Sequence, residues 1–212
     1  MKWLDRLERK MGNFYIPNLM KYLCLAMAGV YLLEYLPLPR SAAQLLYFDR
    51  ELILQGQIWR VFTFLVVPSF GSLLWTALRL YFYYFLGVAL ERAWGSRRFN
   101  LYILIGWLGC VLCGFLLGFA TNAFLYTSLL LAFAVLYPEM EVTLFFILPV
   151  KVKWIGWLTA AGLLYSLIVN SWLYRLAMLF SLAPFLLFFG RDCFLQIKLW
   201  IRHIRYWLAT RK

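Results

Sequence analysis

The strongest constraint on how this chain can fold is a series of six long apolar runs. Each run is close to the length that a helix needs to cross the hydrocarbon of a bilayer. Inside hydrocarbon every backbone amide must be hydrogen-bonded within its segment, and these continuous runs lack the alternation of a membrane β-barrel. We therefore predict an all-α polytopic membrane protein, a bundle of six transmembrane helices near residues 18–37, 73–91, 99–119, 122–137, 154–170 and 172–190.

The composition supports a single membrane domain. Hydrophobic residues make up 65% of the 212 residues, charged residues make up 14%, and the mean hydropathy is +0.77. A soluble domain of this length could not bury so much apolar surface. No linker divides the chain, so we predict an amphipathic cytoplasmic arm at 1–17, a membrane domain at 18–190 and a basic amphipathic cytoplasmic tail at 191–212.

The stretch LFFILPV at 144–150 leaves two interpretations open, a seventh span or a segment that lies at the membrane surface. Pro138, Glu139, Glu141 and Pro149 favour the surface segment. Proline interrupts a helix, and a carboxylate is costly within hydrocarbon.

The distribution of positive charge orients the bundle. With a cytoplasmic N-terminus, the cytoplasmic parts carry 16 lysines and arginines, the outer parts carry 4, and Arg79 lies within a span. The positive-inside rule then places both termini in the cytoplasm. The net charge of +12 belongs mostly to that face, so anionic lipid headgroups rather than nucleic acid are the expected partners. With no cleavable signal peptide, a bacterial inner membrane is the expected location.

The charged stretch ERAWGSRRFN at 91–100 separates the second and third apolar runs. We interpret it as a tight corner between two antiparallel helices. Gly95 would allow a left-handed turn, and Arg92, Arg97 and Arg98 would hold the corner at the inner headgroups.

No pattern of catalytic or metal-binding residues stands out. Cys110 and Cys113 form a CxxC inside a predicted span, with no histidine nearby, and we interpret them as buried apolar thiols. The single histidine, His203, lies on the basic tail. We therefore expect neither a metal nor a cofactor.

Three stretches resemble the rhomboid superfamily of intramembrane serine proteases and their inactive relatives such as the Derlins. They are GQIWRVFTFLVVP at 56–68, YFLGVALERAWGSRRFNLYILIGW at 84–107 and AFAVLYPEMEVTLFFILPVKVKW at 132–154. They are similar to the family's Trp-Arg motif in the first outer loop, its corner after the second helix and its entry to the fifth helix. The resemblance covers roughly residues 15–190 and implies six helices.

The resemblance also shows where the chemistry of an active rhomboid is missing. Ala123 falls at the position of the nucleophilic serine, and Ala183 falls near the position of the general-base histidine. Trp75 and Arg79 fall near the residues that support the oxyanion. A serine protease needs both a hydroxyl and a base, so we expect no catalytic residues and a vestigial active-site cavity formed by these four residues. Pro184 is expected to kink the sixth helix.

Three further residues carry structural expectations. Arg60 beside Trp59 is expected to hold the first outer loop by bonding its carbonyl groups, as a structural motif rather than a ligand site. Arg79 leaves two interpretations open. It could be a polar patch that touches a client helix, or it could reach the outer headgroups or pair with Glu34 or Glu51; the second is favoured.

These inferences lead to a function hypothesis. We expect a Derlin-like pseudoprotease that binds transmembrane segments of client proteins without cleaving them, as in membrane-protein quality control. Short helices such as 122–137 would thin the bilayer locally. The alternatives are an active protease with a non-standard catalytic pair and a small transporter or lipid-handling protein, although a transporter should show two related halves.

Overall fold

A computed structural model describes residues 8–9, 12, 15–34, 36, 41–144 and 148–189. The tail 191–212, with His203 and Cys193, and nearly all of the arm before Tyr15 lie outside the described residues. The described part contains the helices α1 (Leu19–Leu33), α2 (Ala42–Leu46), α3 (Arg50–Leu54), α4 (Arg60–Thr63), a 3₁₀ helix (Phe64–Val66), α5 (Leu73–Trp94), α6 (Ser96–Leu117), α7 (Ala123–Leu136), α8 (Val152–Val169), α9 (Trp172–Ser181) and α10 (Ala183–Phe189), and the strands β1 (Glu141–Leu144) and β2 (Leu148–Lys151).

Each of the six apolar runs forms helix, but the helices differ in length. By length and composition α5, α6 and α8 could each cross a membrane, and α9 with α10 could form a fourth, bent span. The apolar helices α1 and α7 are shorter, with 15 and 14 residues. The prediction of a mostly helical membrane protein is confirmed, and the count of six spans stays a prediction.

The corner between the second and third predicted helices is sharper than expected. Helix α5 continues to Trp94 and α6 already begins at Ser96, so Gly95 alone separates them. Gly95 has a φ of 83° and a ψ of 154°, a conformation that is essentially open to glycine only. The predicted boundary at 99 was wrong because Glu91, Arg92 and Arg98 are good helix formers, and charge by itself does not end a helix.

The first outer loop is a folded layer rather than an irregular connection. Its helices are locally specified, since the Ser41 side chain accepts a hydrogen bond from Gln44 N–H and Asp49 accepts from Glu51 N–H and Leu52 N–H. The loop, which was predicted to lie on the outer side, ends where α5 begins at Leu73, the residue at which the second apolar run was predicted to begin.

The ambiguous stretch near 144–150 contributes to a β-hairpin. Strands β1 and β2 pair antiparallel, with Glu141 opposite Lys151 and Thr143 opposite Pro149. The interpretation as a seventh helical span is therefore wrong for the described residues. Pro149 is tolerated here because a two-stranded ribbon leaves one side of each strand unpaired.

Helix α7 lies at the centre of the bundle, in contact with α5, α6, α8 and α9. Nine of its residues are buried, and Leu129, Ala132 and Phe133 are fully inaccessible. Small residues allow two of its neighbours to approach closely. A Cβ on Gly156 of α8 would lie 2.6 Å from the Cβ of Ala134, and a Cβ on Gly106 of α6 would lie 2.2 Å from Leu125.

The sixth predicted helix is bent, as Pro184 indicated. Helices α9 and α10 meet at an angle of 52°. Proline has no N–H, so Pro184 cannot bond the carbonyl of Phe180 as a regular helix would. That carbonyl lies against α6 instead, where a Cβ added to Gly109 would be 2.2 Å from the Phe180 oxygen. Helix α9 therefore packs mainly on α6, with a smaller contact on α7.

Candidate functional site

The most concentrated polar structure in the described part of the chain lies between the first outer loop and the helices beneath it. Backbone carbonyl groups of residues 61–71 accept hydrogen bonds from side chains on four different helices and from Asn122. We call these side chains the loop-anchoring donors: Tyr31 of α1, Arg79 of α5, Trp107 of α6, Tyr126 of α7, and Asn122, which immediately precedes α7. They fix one strip of the loop to the membrane bundle.

Asn122 is the centre of this arrangement. Its Nδ2 donates to the carbonyl oxygens of Phe64, Leu65 and Val67 at 3.1, 2.9 and 2.9 Å. Tyr126, one turn further along, donates from its hydroxyl to the same Leu65 oxygen at 3.0 Å. The loop backbone near the 3₁₀ helix therefore has its carbonyls satisfied by α7 and the residue before it, which a buried backbone requires.

A small cavity of about 160 Å³ lies beside Asn122. It is lined by Tyr47, Phe64, Val67, Pro68, Ser69, Ala120, Thr121 and Asn122. The lining combines three hydroxyl-bearing residues and one carboxamide with apolar side chains. None of the four residues predicted to form the vestigial cavity lines it. The vestigial cavity stays a prediction.

The structure spreads those four residues over different surroundings. Ala123 is exposed at the start of α7, and its N–H donates to Thr121 Oγ1 at 3.3 Å. Ala183 is half-buried on α10, and Trp75 is 52% exposed on α5. Arg79 reaches the rim of the cavity, because its Nη1 donates to the carbonyl of Ser69 at 2.9 Å.

Arg79 does not pair with either carboxylate proposed for it. No ion pair joins it to Glu34 or Glu51 within the described chain. Glu34 instead accepts hydrogen bonds from the Ser41 hydroxyl and from Ala43 N–H, and so caps the start of α2. The carbonyl of Ser69 takes the place of a counter-ion for Arg79.

Arg60 lies inside the loop and is only 3% exposed. Its Nε donates to Gln57 Oε1 at 2.7 Å, and its Nη1 donates to the carbonyls of Gln44 and Tyr47 at 2.9 and 2.8 Å. The guanidinium thereby ties α4 to the middle of α2 and to the residue that follows its end. Trp59 Nε1 donates to the carbonyl of Leu45 at 3.2 Å, while its ring remains half-exposed.

Two hydroxyl groups lie in the interior of the bundle. The Ser128 hydroxyl, fully buried, donates to the carbonyl of Leu125 and accepts a hydrogen bond from the Tyr102 hydroxyl. The Ser181 hydroxyl accepts from the Cys110 thiol at 3.3 Å. Among the described residues, no three His, Cys, Asp or Glu side chains lie together in a way that could hold a metal ion.

The sequence pointed to Arg60 and Arg79 but not to Asn122, Tyr31, Trp107 or Tyr126. An asparagine before an apolar run is typical of a helix N-cap, and aromatic residues are common in membrane helices. For Asn122, Tyr31 and Tyr126 the available signal was a polar group near one end of an apolar run, whereas Trp107 lies in the middle of α6 and carried no such signal.

Helices of this length and hydropathy, with a mostly apolar exterior, define an integral membrane protein. The chain belongs to the family described as eukaryotic integral membrane protein (DUF1751), which it matches over residues 21–191. No curated protein matches the chain. The prediction of an integral membrane protein is confirmed, whereas a bacterial inner membrane finds no support in a family of eukaryotic proteins.

Proposed function

We propose that this protein is a rhomboid-like pseudoprotease that binds transmembrane segments of client proteins without cleaving them. The proposal includes six membrane crossings with both termini in the cytoplasm of a eukaryotic cell. The observation that carries it is the sparse packing of α8, which lies beside the central helix α7 and yet has only two buried residues among its 18.

Helix α8 is buried only near its first turns. Its two buried residues are Val152 and Gly156, and Ala160, Leu163 and Leu167 are partly buried against α7 and α9. The opposite face is exposed along the whole helix and carries the large side chains Trp154, Trp157, Leu158, Tyr165 and Ile168. Such a face suits an apolar helix of another protein, because helix association in lipid rests on side-chain packing.

The two short helices support a second part of the proposal. At 1.5 Å per residue, α1 and α7 are about 22 and 21 Å long, against roughly 30 Å of hydrocarbon. A bundle that contains short apolar helices favours local thinning of the bilayer. Thinning would lower the cost of moving polar parts of a client segment through the membrane.

The side chains at the expected catalytic positions support binding rather than hydrolysis. Ala123 and Ala183 offer neither a hydroxyl nor an imidazole. The buried hydroxyl groups of Ser128 and Ser181 are engaged with Leu125, Tyr102 and Cys110 rather than with a base.

Photocrosslinking in native membranes tests the binding surface. A p-benzoylphenylalanine at Trp157 or Ile168 on the exposed face of α8 should give covalent adducts with other membrane proteins. The same group at Leu163, on the face towards α7, is the inward control, and at Leu25, exposed on α1, it is the lipid-facing control. Adducts of equal yield from Leu25 and Trp157 would count against a dedicated client surface.

A separate assay tests the absence of chemistry. The purified protein in liposomes should leave intact the transmembrane substrates that rhomboid proteases cleave. A serine-directed phosphonate should also fail to label it. Labelling that a single Ser→Ala or Thr→Ala change abolishes would instead identify a nucleophile and favour the protease alternative.

A further inference from the structure

The corner around Gly95 contacts the segment that leads into α1. Asn18 N–H and the Ser96 hydroxyl both donate to Glu91 Oε1, at 2.8 and 2.5 Å. Asn100 binds both backbone groups of Ile16, because its Oδ1 accepts from Ile16 N–H at 2.9 Å and its Nδ2 donates to Ile16 O at 2.8 Å. Glu91 and Asn100 are each only 8% exposed, so this inner contact is shielded from water.

A second contact lies further out on the same corner. Arg98 Nε donates to Glu8 Oε2 at 2.9 Å, and the Arg97 guanidinium lies 5.4 Å from the centre of the Tyr15 ring. The Arg98 side chain is 47% exposed and that of Glu8 is 25% exposed. Two arginines that the sequence suggested for headgroup binding therefore also contact the chain's own arm.

The inner and the outer contact differ in the free energy that it costs to break them. A buried carboxylate and carboxamide with backbone partners are expensive to separate, because each partner would be left unsatisfied. An exposed ion pair contributes little and is screened by salt. Gly12 lies between Glu8 and Tyr15 with a φ of 54°, so the chain can turn there at little steric cost.

We propose that the outer contact is sensitive to lipid: anionic phospholipid headgroups compete with the Glu8 carboxylate for Arg98, and with the Tyr15 ring for Arg97. Glu8 is docked on the corner in a neutral membrane and leaves it in an anionic one. The inner contact through Glu91 and Asn100 keeps residues 16–18 in place in both states. This proposal does not depend on client binding.

The chemistry of the groups supports a headgroup as the competitor. A phosphate offers the same oxygen acceptors as Glu8 and binds a guanidinium through paired hydrogen bonds. Residues 1–12 carry four positive and two negative side chains, so an anionic surface also attracts the released arm. Each basic residue near such a surface shifts the balance by about fivefold.

The test is energy transfer between dyes on clickable amino acids at Met11 and Ala93 in the full-length protein. Transfer should be high in phosphatidylcholine nanodiscs. With phosphatidylserine added, the ratio of released to docked arm should rise by about fivefold or more. Soluble glycerophosphoserine should have little effect, since the competitor is a membrane surface.

Two matched variants decide the role of the corner. Arg98→Gln should release the arm in both lipids and so remove the response. Arg92→Gln removes the same charge from an exposed corner residue and should leave the response intact. Equal energy transfer in both lipids for the unmodified protein would overturn the proposal, as would loss of the response in Arg92→Gln.

Discussion

At the scale of single residues, the chain uses side chains to satisfy the backbone of its outer loop. The loop-anchoring donors and Arg60 all bind carbonyl oxygens, and Arg60 is the most buried of the charged donors. A guanidinium suits this task because it presents five donors in a fixed plane and stays ionised. The loop is therefore held from inside by Arg60 and from below by Asn122 and its neighbours.

Replacing Arg60 should destabilise the folded loop. Arg60→Ala removes the buried guanidinium that donates to the carbonyls of Gln44 and Tyr47, so the free energy of unfolding should fall by about 1–3 kcal/mol. Thermal unfolding in detergent, followed by the reactivity of an introduced loop cysteine, measures the change. Arg50→Ala is the control, because Arg50 donates to Phe115 O from an exposed position and its loss should cost less. Equal effects would contradict the assigned role of Arg60.

Arg79 should behave differently. Arg79→Leu loses one hydrogen bond to Ser69 O at a partly exposed site, and it also removes a charge from a membrane helix. The lost hydrogen bond lowers stability a little, and removal of the costly charge raises it, so thermal stability should hold or rise. Crosslinking to clients from Trp157 should nevertheless fall if Arg79 touches them. Strong destabilisation with unchanged crosslinking would make Arg79 a purely structural residue.

At the scale of secondary-structure elements, close contact between α6 and α9 depends on a glycine. Gly109→Ala would place a Cβ 2.2 Å from the Phe180 carbonyl oxygen, a backbone atom that cannot rotate away. We expect a loss of about 1–3 kcal/mol in the free energy of unfolding, as for other overpacked cores. Gly162→Ala on α8 is the matched control, because its added Cβ meets nothing within 4 Å. It should be neutral or stabilising by up to about 1 kcal/mol. Steric trapping or thermal unfolding of both variants distinguishes the two outcomes.

The hairpin carries an ion cluster with a predictable dependence on pH. The ammonium groups of Lys151 and Lys153 hydrogen-bond the Glu139 carboxylate and lower its pKa from an ordinary value of 4.5 to about 2. A lowered folded-state pKa stabilises the hairpin above about pH 4.5, and that contribution is lost as the pH falls from there towards 2.

Carbon chemical shifts of the Glu139 carboxyl, followed from neutral to acidic pH, measure this effect directly. In Lys151→Gln the pKa of Glu139 should move up towards its ordinary value, with a smaller rise expected in Lys153→Gln, since Lys151 has the larger influence. An unchanged titration in Lys151→Gln would show that this ion pair does not form in the membrane.

At the scale of the whole molecule, the proposed six crossings predict on which side of the membrane each loop and terminus lies. Reporter fusions at Lys212 and within residues 40–55 should report opposite sides of the membrane. The asymmetry of 16 against 4 basic residues gives the physical reason for this orientation. Signals from the same side would rule out the odd number of spans, five, that the six-helix bundle places between the two sites.

The sequence by itself determined that this is a membrane protein and which of its segments are helical. Apolar length and backbone hydrogen bonding within a segment are local properties, so each predicted run from 18–37 to 172–190 is found as helix. The bend before Pro184 and the positive φ of Gly95 were also predictable from the sequence. Proline restricts its own backbone and lacks an N–H, and glycine tolerates a positive φ.

Tertiary structure decided what the polar side chains do. Asn122 binds carbonyls 55 to 58 positions away, and Asn100 and Glu91 bind backbone groups 84 and 73 positions away. Such pairs form only after the helices and the loop have packed together, so no pattern of residues along the sequence predicts them. The apolar pattern determines where the chain enters the membrane, and three-dimensional packing determines which polar groups meet, because each group binds whatever unsatisfied partner the fold brings within reach.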